Sequence, residues 1–198
     1  MKNILITCMI FVVVAFCATG AQAALFQTVN VNATVPAVTN AVTLSISKVV
    51  GTVWTKNQTA IAFGTLVLDP INHIFLPPMY YAVDVGVNDN SGNNWTVTHT
   101  RTSLAKGTDN LNDKVNVAFS LETDPLGVTP GTELQKVSFG DSNNIAYTRN
   151  DLTGGWLRIY YGVGTGDPAH PDAFGVTPIG MDTPSGTYAG SVTLTLTP

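Results

Sequence analysis

The sequence predicts an all-β chain folded as one antiparallel sandwich, and three observations carry that expectation. Apolar and polar residues alternate strictly over several short runs, which is the period of a strand rather than of a helix. Turn-forming Gly, Pro, Asn and Asp cluster between those runs at fairly regular spacing. Charged residues make up only 11% of the chain, so its polar surface is built from Thr, Ser and Asn. Such a neutral, hydroxylated skin suits strands that pack in an extracellular assembly.

The clearest run is the C-terminal one. Tyr188, Gly190, Val192, Leu194 and Leu196 fall on one face, and Ala189, Ser191, Thr193, Thr195 and Thr197 on the other. Tyr188, Val192, Leu194 and Leu196 are therefore the expected core residues of a strand over 188–197, entered through Pro184 and Gly186.

At the other end, Lys2, an apolar run from Ile4 to Cys17 and the small-x-small triplet Ala21-Gln22-Ala23 have the layout of a secretory signal peptide over residues 1–23. The apolar run is short for a spanning helix. Phe16 is bulky where a lipoprotein site at Cys17 would want a small residue. Cleavage after Ala23 leaves one domain, residues 24–198, exported in the bacterial manner and destined for secretion or the cell surface. Both cysteines, Cys8 and Cys17, leave with the leader, so burial and strand pairing alone must hold the mature chain. Lys2 leaves too, and 8 basic side chains then face 13 acidic ones, a net of −5. That balance argues against nucleic acid and anionic membrane surfaces as partners.

The first mature strand is expected over Gln27 to Val35, with Val29, Val31, Ala33 and Val35 on its apolar face and Pro36 ending it. Ala41 to Ser47 repeats the device with Val42, Leu44 and Ile46 inward. Val49 to Trp54 either continues it through a bulge or pairs back as a hairpin. Ile61 to Leu68 reads as a strand closed by Asp69-Pro70. Tyr80 to Val87 and Trp95 to Thr100 flank the Asn-rich stretch 88–94 and read as a hairpin. Val115 to Leu121, Gln135 to Phe139 and the aromatic Trp156 to Val163 complete the set, the last being central. Thr102 to Asn116 leaves room for a short helical turn, and Gly164 to Pro184 reads as a loop.

Few residues carry a chemical signature. Asn88 to Asn94 is rich in oxygen ligands but lacks the spacing of a calcium loop, and Asx residues are ordinary turn formers. Asp167, His170 and Asp172 stand together in a proline-stiffened loop. One histidine between two aspartates is a weak zinc signal, because catalytic zinc gathers three protein ligands with a second shell, so the segment reads as a proline-rigid surface loop. His99 could join it only if the fold brought it near, and His73 is unremarkable. Glu122, Asp124 and Glu133 read as solvated charges beside a turn rather than as paired glycosidase carboxylates. No nucleophile elbow, HExxH or phosphate loop occurs, and neither catalytic residue, cofactor nor metal is expected. Trp54, Trp95, Trp156 and the pairs Tyr80-Tyr81 and Tyr160-Tyr161 could form a carbohydrate platform. Core packing is the default for the tryptophans, and one tyrosine of each pair should face outward.

The stretch Ser185 to Leu196, with Phe63-Gly64 and Val29 to Val35, resembles the spore coat protein U and archaic chaperone–usher pilin group. That resemblance implies an immunoglobulin-like sandwich (a jelly roll being the other form) whose N-terminal strand completes a neighbour's sheet. The same C-terminal stretch with Trp95-Thr96-Val97-Thr98 is similar to the WxL cell-wall-binding domain, although Leu194-Thr195-Leu196 stands where that domain has Trp-x-Leu. The expectation is a non-enzymatic surface subunit, structural or adhesive and pilin-like, that associates with itself or with other surface subunits. It has no membrane span once the leader is removed. Its candidate donor residues are Val29, Val31, Ala33 and Val35. The alternative is a cell-wall or carbohydrate-binding module.

Overall fold

The computed structural model describes residues 41–88, 96–124, 131–140, 145–148, 156–167, 169–170 and 172–197. All of them lie in one compact unit, Ala37–Pro198. The expected leader over residues 1–23, the expected strand Gln27 to Val35, the Asn-rich residues 89–94 and Trp95 lie outside the described residues.

Two antiparallel sheets dominate. The larger contains β1 (Ala41–Val50), β2 (Val53–Gln58), β5 (Tyr80–Asn88), β9 (Val115–Glu122), β10 (Thr132–Ser138) and β12 (Trp156–Val163), in the spatial order β10-β9-β12-β5-β1-β2. The smaller contains β6 (Thr96–Arg101), β11 (Ile145–Thr148) and β14 (Val192–Thr197), in the order β11-β6-β14. A minor sheet joins β3 (Val67–Asp69), β4 (Ile74–Leu76) and β13 (Ile179–Gly180), and β7 (Ala105–Lys106) pairs with β8 (Asp109–Asn110). No helix occurs among the described residues.

The core lies between the two main sheets, a β-sandwich-like arrangement. Tyr81, Val83 and Val85 of β5, Val115, Val117 and Phe119 of β9, and Leu157, Ile159 and Tyr161 of β12 point to it from the large sheet. Val97 of β6 meets them, with Val192, Leu194 and Leu196 of β14 packed partly buried against the same cluster. Alternation is thus expressed on both sides, and β12 is an interior strand of the large sheet as its composition predicts.

Several expectations need correction. Residues 80–87 and 96–100 do not form a hairpin: β5 pairs with β1 and β12, while β6 pairs with β11 and β14. The seven-residue Asn-rich stretch is far longer than a tight turn, so nothing local fixes pairing between its flanks. Ile61 to Leu66 joins no ladder among the described residues; only Val67–Asp69 is strand. Ile61 and Phe63 still pack on the core, and Gly64, at φ 66°, breaks the run. Thr102 to Asn116 contains no helix, only a single turn in which the Lys114 N–H donates to the Leu111 carbonyl. It is preceded by the β7–β8 hairpin around Gly107, whose φ of 60° suits a residue without a Cβ. The loop Gly164 to Pro184 contains β13.

The C-terminal strand starts at Val192 rather than Tyr188. Upstream of it the chain follows residues 102–105: Ala189 exchanges backbone hydrogen bonds with Ala105, and the Thr102 N–H donates to the Ser191 carbonyl. Gly190 permits that approach, because a Cβ there would lie 2.9 Å from the Ser103 carbonyl oxygen. Tyr188 turns to a second cluster with Leu111, Val163 and Ile179. The stretch Val49 to Trp54 pairs back as a hairpin, turning at Gly51 with φ 58°.

Val192, Leu194 and Leu196 are half-buried while Thr193, Thr195 and Thr197 are exposed. We expect Leu194→Asp to cost about 1–3 kcal/mol, since a half-buried carboxylate keeps part of its hydration, and Thr193→Asp to cost under about 0.5 kcal/mol. Urea denaturation of the two variants checks this; equal losses would reverse the face assignment.

Candidate functional site

The period of two that sends Leu157, Ile159 and Tyr161 inward sends Trp156, Arg158 and Tyr160 to the outer face of the large sheet. Cross-strand register places Asp84 and Ser120 on either side of Arg158, Ala82 and Ala118 beside Tyr160, and Glu122 beside Trp156. Trp54 of β2 stands opposite Val49, which is itself opposite Tyr80. Small side chains at Ser47, Ala82, Ala118 and Ser120 floor this face, all of them buried. They leave space for long side chains to lie along the sheet.

Arg158 is the centre of the patch and is completely buried. Its Nε donates to Asp84 Oδ1 at 2.5 Å and its Nη2 to Oδ2 at 3.0 Å, the two-pronged geometry that a guanidinium makes with a carboxylate. The guanidinium carbon lies 4.5 Å from the Trp54 ring centroid, 5.5 Å from that of Trp156 and 5.9 Å from that of Tyr160. Burial disfavours its charge, but the bonds to Asp84 and the neighbouring Tyr160 outweigh that and hold it above the ordinary arginine range. Tyr80 and Tyr160 meet at 6.1 Å, and Tyr80 is the more open ring, 37% exposed.

Glu122 corrects the expectation of a solvated turn charge. It is 1% exposed, because it is the last residue of β9 and points to this outer face. Its Oε1 accepts from the Tyr160 hydroxyl at 2.9 Å, and its Oε2 is buried with no hydrogen-bond partner among the described residues. Gly131 stands against the carboxylate: a Cβ there would lie 2.6 Å from Oε2. Burial first, with the bond to Glu122 adding, pushes the Tyr160 hydroxyl up to about 12. The indole Nε1 of Trp156, directly across the strands, is also buried and unpartnered. Glu133, by contrast, is exposed and pairs with Lys136 at 3.0 Å.

The other candidates take structural roles. Asp172 Oδ2 accepts from the Thr165 and Gly166 N–H groups, both at 2.8 Å, and Asp167 Oδ1 from the Ala169 N–H at 2.8 Å. These carboxylates therefore brace their own loop, and no cluster of three metal-ligating side chains exists among the described residues. His99 is far from that loop in role: it lies in the core between the sheets, 2% exposed. Its Nε2 is 2.9 Å from the Tyr161 hydroxyl and its ring meets Phe119 edge-on at 5.5 Å.

The tryptophans depart from the default reading. Trp54 and Trp156 are half-buried on the outer face instead of filling the core. The tyrosine pairs split as alternation requires, Tyr81 and Tyr161 inward, Tyr80 and Tyr160 outward. The sequence signal for the patch was present in the spacing Trp156-x-Arg158-x-Tyr160, which puts a cation between two rings on one strand face. Glu122 needed the long-range register of β9 on β12.

No family model matches the chain, and no curated protein or solved structure matches it either.

Two outcomes test these assignments. Burial depresses His99 to about 4 from an ordinary 6.5. Between those values the unfolded chain takes up a proton that the folded one refuses, so stability falls as the pH drops through that window. The effect is at most about 3 kcal/mol, and His99→Phe should flatten this part of the stability–pH curve measured by denaturant titration. Separately, Asp84→Ala should cost about 3–5 kcal/mol by leaving a buried guanidinium without its carboxylate, read from the shift in urea midpoint.

Proposed function

We propose that this chain is a non-enzymatic, exported surface subunit, structural or adhesive, whose immunoglobulin-like sandwich receives an extended strand from a second copy. One observation carries the reading. β14 pairs with β6 on one side and with no other strand among the described residues, and its apolar row Val192, Leu194 and Leu196 is only half-buried. On the inner face of β1, Ile46 packs into the core while Leu44, two residues away, remains 52% exposed. The sandwich therefore has apolar inner-face surface on the edge strand β14, and separately at the start of β1, that nothing described covers.

An occupant for that edge must be extended, alternating and small on its apolar side. Gln27 to Val35 of the chain itself has that pattern, with Val29, Val31, Ala33 and Val35 as the inserted row. Small β-branched residues slide between packed sheets with little rotamer entropy to lose. The residues with chemical potential support the non-enzymatic part. Glu122 is bonded to Tyr160, Asp172 to backbone, and His99 sits in the core held neutral.

Loss of the leader removes both cysteines, which makes a disulfide test clean. Thr195→Cys in one copy is mixed with Asn30→Cys, Asn32→Cys or Thr34→Cys in another and oxidised. The expected result is a disulfide-linked heterodimer for at least one pairing, on a non-reducing gel. Double variants that form only an internal bridge, with no intermolecular band, would place the strand in its own domain and overturn the assembly.

A further inference from the structure

The outer face of the large sheet carries a feature that strand assembly does not use. Two buried polar atoms on residues directly paired across β9 and β12 have no partner among the described residues: Glu122 Oε2, which can only accept while the carboxylate is ionised, and Trp156 Nε1–H, which can only donate. Leaving either unmade costs more than a hydrogen bond gains, so such groups call for a partner. A single hydroxyl, like a water molecule, can answer both, donating its proton to Oε2 and accepting from the indole N–H.

The surroundings narrow which hydroxyl. Trp54, Tyr80, Trp156 and Tyr160 lie on the same sheet face, partly open, around the Arg158–Asp84 pair. Flat aromatic surface beside fixed polar groups is how a site takes a molecule that has both apolar C–H faces and hydroxyl edges. We infer that this face binds a saccharide, one of whose hydroxyls bridges Glu122 Oε2 and Trp156 Nε1 while the sugar ring lies on the neighbouring aromatic rings.

The reading is independent of the strand edge at β14, which belongs to the small sheet. It also accounts for Glu122 being held in place. Tyr160 fixes one carboxylate oxygen and Gly131 closes against the group, so the free oxygen keeps one direction. Both atoms are shielded from solvent, so a sugar hydroxyl reaches them only as the half-buried Trp156 ring shifts, while Tyr160 keeps its bond to Glu122. Binding therefore perturbs a tryptophan, which supplies the readout.

The mature chain is titrated with cellotetraose, N-acetylchitotetraose and mannotetraose at millimolar concentrations, following tryptophan fluorescence and saturation transfer to the sugar protons. The expected result is a saturable change with at least one of them. Trp156→Phe keeps the ring and removes the donor, and should weaken that binding about tenfold. Tyr80→Ala, at an exposed position, should weaken it by a similar factor through lost stacking. The absence of saturable binding to all three would overturn the inference, with water alone bridging the pair. So would wild-type affinity in a folded Trp156→Phe chain.

Discussion

The period of two along β12 is the constraint on which the rest of the molecule depends. β12 lies between β9 and β5, so both of its faces are answered by neighbours in register. Leu157, Ile159 and Tyr161 anchor the layer between the sheets, and Trp156, Arg158 and Tyr160 anchor the outer one. A slip of one residue would exchange these sets, placing a guanidinium among Val83, Val85 and Phe119. The Arg158–Asp84 pair guards against that slip, because its two hydrogen bonds form only in the register in which the two residues face one another.

Polar groups fix both layers in a chain with few charges. Between the sheets, the His99–Tyr161 contact ties β6 to β12, and no salt bridge serves that purpose among the described residues. Outside, Tyr160 links β12 to Glu122 of β9. Apolar packing alone tolerates sliding of one strand against another. A hydroxyl that must meet one ring nitrogen or one carboxylate oxygen does not.

How much of this was legible in the sequence depended on whether the information was local. Strands with alternating residues, such as Val115–Glu122 and Val192–Thr197, announce themselves because period two is a property of adjacent residues, and Trp156–Val163 does so through its aromatic content. The split of Tyr80 from Tyr81, and of Tyr160 from Tyr161, was legible for the same reason. The pairing of β5 with β12, 74 residues apart at the Asp84–Arg158 contact, was not, since no turn connects them. Short strands such as Ile74–Leu76 and Ile179–Gly180 have too few residues to show a period. Ile61 to Leu66 shows the opposite failure: its apolar pattern is genuine, yet it fills core space without joining a ladder. Glu122 was misread because a carboxylate near a turn is usually wet, and only the fold brings Tyr160 and Gly131 over it.

The strand edges differ in their electrostatic protection. β2 ends the large sheet with Lys56, and β10 ends it on the other side with Glu133 and Lys136, whereas β14 offers only Val, Leu and Thr. Charges along an edge disfavour the approach of a second sheet, so in the proposed assembly an added strand would meet less opposition at β14 than at β2 or β10. Contact made at β14 by a different part of another copy is heterologous and has no reason to close into a symmetric pair. A row of such contacts would have a polarity, one end presenting an unfilled edge and the other an unused strand, and would lengthen from ends that are chemically distinct.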